Sequence, residues 1–231
     1  MQKRMDMVKH HFETEAKVFD GNILNSVPRY QEMLQAAVNM LPFDRSASPV
    51  IMDVGTGTGN LALAVKTAFP KAKLVCLDLA ANMLDTAREK LKAYPDVEYI
   101  QADASSYRFD RKYDAIVSSL TLHHLETDND KHKFHVKACK ALNREGMFVN
   151  CDIITAPEKA LQEVNLSVWK AYILKSSSPE FVEDRYKKYL AEDRPAAVIN
   201  MLISLKKAGF RYVDVFWKYY NFAVYGGKRG R

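Results

Sequence analysis

Apolar and polar positions alternate in two different periods along the middle of the chain. Short apolar runs, typical of buried strands, are separated by longer segments whose apolar residues recur every three or four positions, as in helices. The predicted strands are Val50–Val54, Leu74–Leu77, Val97–Ile100, Asp114–Ser118 and Met147–Ile154. The predicted helices between them are Asn60–Phe69, Asn82–Ala93 and Asn129–Leu142. Strands that alternate with helices across short connections predict an α/β fold, a doubly wound parallel sheet covered on both faces.

Further elements flank this region on both sides. The pattern predicts additional helices at Asp6–Phe19, Pro28–Leu41, Glu158–Lys175, Pro179–Ala191 and Ala196–Ala208. Two aromatic-rich runs, Arg211–Trp217 and Asn221–Tyr225, predict closing strands, which makes seven strands in all. We therefore predict a single domain over 1–231. Its parts are a mobile helical lid (1–45), the core (46–155), a helical insertion (156–208), the closing strands (209–225) and a basic tail (226–231).

The composition suits a folded chain and narrows the range of partners. Of the 231 residues, 48% are hydrophobic and 27% are charged, which permits a sizeable core. The net charge is +6, but five of these charges come from the first eleven residues and the last six. Because a nucleic-acid binder is expected to carry its basic residues on one folded face, we do not expect a nucleic-acid partner.

The sequence also predicts where the protein works. No apolar run approaches the roughly 20 residues that a membrane-spanning helix needs, so no membrane partner is expected. Residues 1–10 lack the apolar stretch of a secretory signal. The cysteines, Cys76, Cys139 and Cys151, show neither paired nor metal-ligand spacing. These features predict a cytoplasmic protein.

The most informative segment is Val50–Leu61, in which a buried strand runs into three alternating glycines and then into a helix. Glycines allow a positive φ and let the backbone approach a ligand closely, while the N-terminus of the helix presents free N–H groups. A dinucleotide-binding loop would read Gly-x-Gly-x-x-Gly, but Asn60 occupies the place of its third glycine. Asp53 precedes the loop, and an acid there suits a cationic or amine-bearing ligand rather than a phosphate.

Two further acids lie at the ends of the next two strands. Asp78 ends the second strand, where a carboxylate can accept both hydroxyls of a ribose, and Asp103 follows the third. Any one of them could be an ordinary helix cap. Ligands of open α/β sheets bind at the carboxyl edge of the strands, and three successive acids at this edge favour a binding site.

This constellation resembles the class I S-adenosylmethionine-dependent methyltransferases over nearly the whole chain. The segment Tyr113–Leu125 is similar to the fourth-strand motif of that family, which lines the methyl-transfer site. The resemblance implies a Rossmann-like seven-stranded sheet with an antiparallel last strand, and S-adenosyl-L-methionine as the cofactor, bound by the core 46–155. The cofactor contacts that it implies are Asp53, Gly55, Thr56, Gly57, Gly59, Asp78, Leu79, Asp103, Ala104 and Ser119.

A closer resemblance links the chain to the carboxy-S-adenosylmethionine synthase family, which builds a carboxylated cofactor for a tRNA wobble modification. It is carried by Phe19–Tyr30 and by Lys207–Phe210, and it implies that Tyr30 contacts the cofactor. By this resemblance, Ser204 stands where the family has an arginine that grips the extra carboxylate. Because serine cannot supply a charged bidentate clamp, we expect a methyltransferase relative of that enzyme rather than the synthase itself.

Four histidines lie within thirteen residues: His123, His124, His132 and His135. Imidazole and carboxylate groups suit several divalent ions. However, the last two histidines fall on a lysine-rich helix, so we expect a polar helix face and no metal. His123 and His124 follow the fourth strand. One of them could act as a general base in catalysis, or one could be packed and the other solvated.

The function predicted from these observations is transfer of a methyl group from S-adenosyl-L-methionine to a small-molecule acceptor, with a homodimer as an open expectation. The alternative is a cofactor-modifying enzyme of the carboxy-S-adenosylmethionine synthase type. A third hypothesis, a nicotinamide-dinucleotide or non-catalytic Rossmann protein, is opposed by Asn60.

Overall fold

A computed structural model describes residues 2–230 of the chain, with side chains from Arg4 onward. One twisted sheet has the order β3-β2-β1-β4-β5-β8-β7. Its strands are β1 (Val50–Val54), β2 (Lys73–Asp78), β3 (Val97–Gln101), β4 (Tyr113–Ser119), β5 (Leu142–Thr155), β7 (Phe210–Tyr219) and β8 (Phe222–Arg229). The first five strands pair in parallel, and β8 runs antiparallel to both β5 and β7. The predicted doubly wound sheet with an antiparallel last strand is therefore confirmed. A two-residue strand, β6 (Ala196–Ala197), pairs with β5 as an eighth strand that the sequence did not predict.

Helices cover both faces of this sheet. They are α1 (Gln2–Glu15), α2 (Phe19–Ser26), α3 (Tyr30–Asn39), α4 (Asn60–Ala68), α5 (Ala81–Lys90), α6 (Asp128–Ala141), α7 (Lys159–Ile173), α8 (Pro179–Glu192) and α9 (Val198–Lys207). One turn of 3-10 helix, Leu122–His124, follows β4. In β1 the fully buried Ile51 and Met52 belong to separate hydrophobic clusters. Successive side chains of a strand point to opposite faces, so β1 needs an apolar residue at almost every position.

The helix α2 is one element that the sequence did not predict. Its eight residues include Gly21 and Asn22, which are poor helix formers, so its local preference for a helix is weak. Contacts with the rest of the fold hold it. The indole N–H of Trp169 donates to the carbonyl of Ser26 over 2.7 Å, and Lys90 pairs with Asp20.

The last strand continues beyond its predicted end at Tyr225. Gly226 and Gly227 remain in the ladder, opposite Val149 and Phe148, and β8 ends at Arg229. A Cβ atom on Gly226 would lie 2.0 Å from the carbonyl oxygen of Phe148, so this pair of strands needs a glycine there. Sequence reasoning interprets two adjacent glycines as a strand end, and only the close approach of β5 explains their place within the strand.

No helix among the described residues combines the length and the apolar character that crossing a membrane requires. The cysteines Cys76, Cys139 and Cys151 are all buried and unpaired.

Candidate functional site

The glycine loop between β1 and α4 adopts the backbone that its sequence predicts. Gly55, Gly57 and Gly59 have φ values of 70°, 55° and 84°, in the left-handed region that favours glycine. The N–H groups of Gly55 and Thr56 donate to the carbonyl of Leu77 over 2.7 and 3.0 Å. These bonds fold the loop back onto the end of β2, so it faces the carboxyl edge of the sheet.

The carboxylate of Asp78 is held rigidly at this edge. One oxygen accepts the N–H of Gly57 over 2.7 Å, and the other accepts the N–H of Ala80 over 2.9 Å. Burial raises the pKa of Asp78, while these two N–H groups act in the opposite direction. Each oxygen keeps a further lone pair, so the carboxylate can still accept two hydrogen bonds from a ligand.

Asp53 is the most unusual acid of the site. It is 1% exposed, and neither carboxylate oxygen has a hydrogen-bond partner within the described part of the chain. Burial, reinforced by the charge of Asp78, raises the pKa of Asp53 to about 7. Burying a carboxylate without a partner costs free energy, because the charge loses its hydration. A cationic group of a ligand would offset this cost.

These groups surround an open cavity at the carboxyl edge of the sheet. Ten of the eleven predicted cofactor contacts line it: Tyr30, Asp53, Gly55, Thr56, Gly57, Asp78, Leu79, Asp103, Ala104 and Ser119. Gly59 does not. A Cβ atom on Gly59 would lie 3.2 Å from the Cβ of Ala87, so this glycine allows α4 and α5 to pack closely. The Ser119 hydroxyl is buried without a hydrogen-bond partner, like Asp53.

The N-terminal helices close this cavity on one side. Met5, Val8, Lys9 and Phe12 of α1 line it, and Phe19 of α2 joins them. The sequence predicted a lid here but did not indicate which side chains face the ligand, because the pattern of α1 is only weakly amphipathic. Asn60, which displaces the third glycine of a dinucleotide loop, also lines the cavity, and its amide lies 3.4 Å from the Tyr30 hydroxyl.

A second cavity adjoins the first. The two share four lining residues, Phe12, Phe19, Leu120 and His124. Trp169, Tyr189 and Phe222 give the second cavity apolar walls, and Arg185 and Lys188 bring positive charge. Both cations pair with Glu15, at 3.2 and 2.8 Å, but the Nε of Arg185 is buried without a partner.

His123 and His124 are both buried, at 4% and 8% exposure, so the expectation that one of them is solvated was wrong. The 3-10 turn after β4 directs both rings into the protein. Burial alone would lower the pKa of His123, but Asp152 and Asp193 raise it to about 10. Burial and the charge of His123 lower the pKa of His124 to about 3, which keeps that ring neutral.

The structure also corrects one interpretation of α6 and places Ser204 on α9. His135 is 1% exposed, so it does not belong to a polar helix face, and its ring pairs with the Ser204 hydroxyl at 2.8 Å. His132 approaches the same hydroxyl at 3.1 Å. Ser204 therefore lies between α6 and α9 and lines neither cavity. The expectation drawn from Ser204, that the site lacks an arginine to grip an extra carboxylate, stays a prediction.

Sequence reasoning missed Asp152, Asp193 and Arg185. Asp152 follows the alternation of β5 and lies at the same sheet edge as the other acids, so the pattern could have identified it. Asp193 and Arg185 belong to the region around α8, and no local pattern indicates that this helix packs beside the end of β4.

Comparison with known proteins shows which proteins the chain resembles. Residues 51–146 match a family described as a methyltransferase domain. The carboxy-S-adenosyl-L-methionine synthase of Nautilia profundicola is 26% identical over 216 residues, which cover 92% of this chain and 91% of that protein. The synthase of Campylobacter jejuni is also 26% identical, over 94% of each chain.

Solved structures show the same fold. A DhpI–SAM–HEP complex superposes with a TM-score of 0.67 and 18% identity over 96% of both chains. Human N-acetylserotonin methyltransferase in complex with SAM gives a TM-score of 0.64 with 15% identity, over 96% of this chain and 57% of that one.

The matched domain, the sheet order and the glycine loop are those of the class I S-adenosylmethionine-dependent methyltransferases, whose cofactor is S-adenosyl-L-methionine. Within that class it resembles the carboxy-S-adenosyl-L-methionine synthases, as the sequence predicted.

Proposed function

We propose that this enzyme transfers the methyl group to a small-molecule acceptor in the cytoplasm, and that the acceptor occupies the second cavity. The observation that carries the proposal is the junction of two cavities at His124, one fitted for the cofactor and one with aromatic and charged walls. The buried, unpaired cysteines are in keeping with a reducing compartment. A homodimer stays a prediction.

The first cavity suits the cofactor because of its unsatisfied and free acceptor groups. Asp78 would accept the two ribose hydroxyls with the lone pairs that Gly57 and Ala80 leave free. Asp53 would meet the ammonium group, since both its oxygens are buried without partners. The adenine would lie between the apolar side chains of Leu79 and Met83 and the Asp103–Ala104 segment.

The protein's contribution to the reaction is alignment and exclusion of water. S-adenosyl-L-methionine supplies a methyl group already activated by its sulfonium. Holding a nucleophile in line at near-attack distance then accounts for most of the acceleration. His124 has a neutral ring at the junction of the cavities, with both nitrogens free of hydrogen-bond partners among the described residues. With a pKa of about 3 it is a poor base, so we do not expect it to remove a proton from the acceptor.

The second candidate function is modification of the cofactor itself. It is favoured by the relatives, which are named carboxy-S-adenosyl-L-methionine synthases, and by the Arg185 and Lys188 cations in the second cavity. Incubation with S-adenosylmethionine and prephenate, followed by mass analysis, separates the two candidates. We expect no carboxylated cofactor, and its formation at catalytic rates would establish the second candidate instead.

Calorimetric titration tests the cofactor assignment. We expect S-adenosylmethionine and S-adenosylhomocysteine to bind with saturable heat and NAD to give none, because Asp53 disfavours a pyrophosphate at this loop and Asn60 replaces the third glycine of a dinucleotide-binding loop. Heat with NAD and none with either adenosyl ligand would refute the proposed function.

Cofactor binding should weaken as the pH falls below 7. The pKa of Asp53 is raised to about 7, so at pH 6 about nine-tenths of the free protein carries a neutral Asp53 that must lose its proton to meet a cationic ligand. We expect S-adenosylmethionine to bind about 10-fold more weakly at pH 6 than at pH 8. The same raised pKa makes the free protein less stable as the pH rises from 3.8 towards 7, because the folded state binds the extra proton in that window.

Titrations at four pH values on wild type and Asp53→Asn measure this dependence. The variant should lose most of it, since an amide does not titrate. An equally large pH dependence of the affinity in both proteins would show that a group other than Asp53 causes it.

The N-terminal helices should become protected when the cofactor binds. They close the cavity through side chains of α1 and α2, and Asp20 fastens α2 to the glycine loop by accepting from Thr58 over 2.6 Å and from Lys90 over 2.6 Å. Hydrogen exchange with and without S-adenosylhomocysteine should show added protection in residues 5–30, as expected for a lid. Unchanged exchange around Tyr30 would contradict the lid.

A further inference from the structure

Three side chains from distant parts of the chain converge on the second cavity. His123 and His124 follow β4, and Asp193 comes directly after α8. One ligand atom from each lies within 4.8 Å of the others, and all three residues line the cavity. The sequence separated Asp193 from the histidines by about 70 positions, so its spacing gave no sign of this cluster.

The distances within the cluster are longer than those of hydrogen bonds. The Oδ1 atom of Asp193 lies 3.4 Å from Nε2 of His123 and 3.4 Å from Nδ1 of His124. A charge-assisted N–H···O bond is about 2.7–2.9 Å long. Two ligands at about 2.1 Å from one tetrahedral metal ion, in contrast, are separated by about 3.4 Å. The two spacings to Asp193 therefore fit a shared ion, and the nitrogens of the two histidines lie within 4.8 Å of each other.

The ring of His124 is left without a hydrogen-bond partner. Its side chain is 10% exposed, and neither ring nitrogen bonds to any group in the part of the chain that the structure describes. Its Nδ1 nevertheless lies 3.4 Å from the carboxylate of Asp193. Because buried polar groups are normally satisfied, an unpartnered imidazole at this place indicates a ligand that completes the site.

His123 is oriented as a metal ligand usually is. Its Nδ1 donates to Asp152 over 2.5 Å, and its Nε2 lies 3.4 Å from Asp193, where a bound ion would take the place of the proton on Nε2. The amide of Asn150 fixes Asp152 in turn, over 3.1 Å. Such carboxylate–histidine–metal chains set the tautomer and the direction of the ligating ring. Asp152 and Asp193 also bring two negative charges, which balance a divalent cation.

We propose that His123, His124 and Asp193 bind a divalent transition-metal ion of the zinc type. Two imidazole nitrogens and one carboxylate oxygen are a donor set that zinc accepts, with one position open. The open position faces the second cavity, where an acceptor oxygen can reach it; that last point rests on the proposed function, whereas the metal site itself does not.

Equilibrium dialysis of the untagged full-length protein against ZnCl₂, followed by elemental analysis, tests the proposal. We expect one zinc per chain in the wild type. Asp193→Asn and His124→Asn should bind zinc more than 100-fold more weakly, since each removes a ligand. Asp152→Asn should bind zinc about 10- to 100-fold more weakly, as expected for a residue that positions a metal ligand.

His10→Asn is the matched control, because His10 is an exposed histidine outside the cluster, and it should bind zinc like the wild type. Circular dichroism without metal shows which variants fold. If a variant does not fold, the visible spectrum of the wild type with CoCl₂ tests the site instead. It should show the absorption of cobalt bound tetrahedrally by nitrogen and oxygen ligands. A wild type that retains no metal, or an Asp193→Asn variant that retains as much as the wild type, overturns the proposal. Neither readout depends on cofactor binding or on methyl transfer.

Discussion

Asp78→Ala should weaken the binding of S-adenosylhomocysteine roughly 10- to 150-fold, measured by calorimetry. In the proposed complex the carboxylate accepts both ribose hydroxyls, and hydrogen bonds to a charged group contribute about 1.5–3 kcal/mol each. Water that enters the space recovers part of this, which leaves a net loss of about 1.5–3 kcal/mol. Equal affinities for the wild type and the folded variant would place the ribose elsewhere.

The same substitution should also lower stability, since it removes the acceptor of the Gly57 and Ala80 N–H groups. Asp78→Asn keeps one carbonyl oxygen and should stay closer to the wild type in stability while still losing affinity. Asp85→Ala is the control. Asp85 lies on α5, with a side chain 68% exposed that pairs only with the nearby Arg88 among the contacts described, so its loss should change affinity less than about threefold.

Gly55→Ala and Gly57→Ala should separate the structural from the binding role of the loop. A Cβ atom on Gly55 would lie 2.0 Å from the hydroxyl of Thr121, in addition to the strain of a φ of 70°. Left-handed backbone costs alanine about 1–2 kcal/mol and overpacking about 1–3 kcal/mol. Gly55→Ala should therefore lower the free energy of unfolding by about 2–5 kcal/mol, measured by urea denaturation.

Gly57→Ala should fold with only the strain of its φ of 55°, because its Cβ would meet nothing within 4 Å. Gly57 lines the first cavity, so the added methyl group would occupy space that the bound cofactor needs. A clash of about 1–3 kcal/mol corresponds to roughly 5- to 150-fold weaker binding. Gly21→Ala, a helical glycine with open space around it, should leave affinity unchanged. Unchanged affinity in Gly57→Ala would show that the ligand does not approach the loop.

Local patterns were sufficient for the sheet and for the first cavity. The boundaries of β1 agree with the prediction, and those of β2–β4 agree to within one residue at each end, because buried parallel strands need apolar residues on both faces. The glycine loop and the strand-end acids converge because the carboxyl ends of parallel strands share one edge. Ten of the eleven predicted contacts accordingly meet at one cavity, while Gly59 serves helix packing instead.

The second cavity and its chemistry depend on packing that no local period encodes. The sequence determined that three successive strands carry acids at their carboxyl ends beside a glycine loop, which is where we propose that the cofactor binds. Only the tertiary structure brought Asp193 and Arg185 beside His124, placed Ser204 between α6 and α9, and made α2 a helix. The physical reason is the distance along the chain between interacting residues. Strand and helix periods are set by neighbours along the chain, whereas the partners of a buried charge are set by which helices pack across the sheet edge.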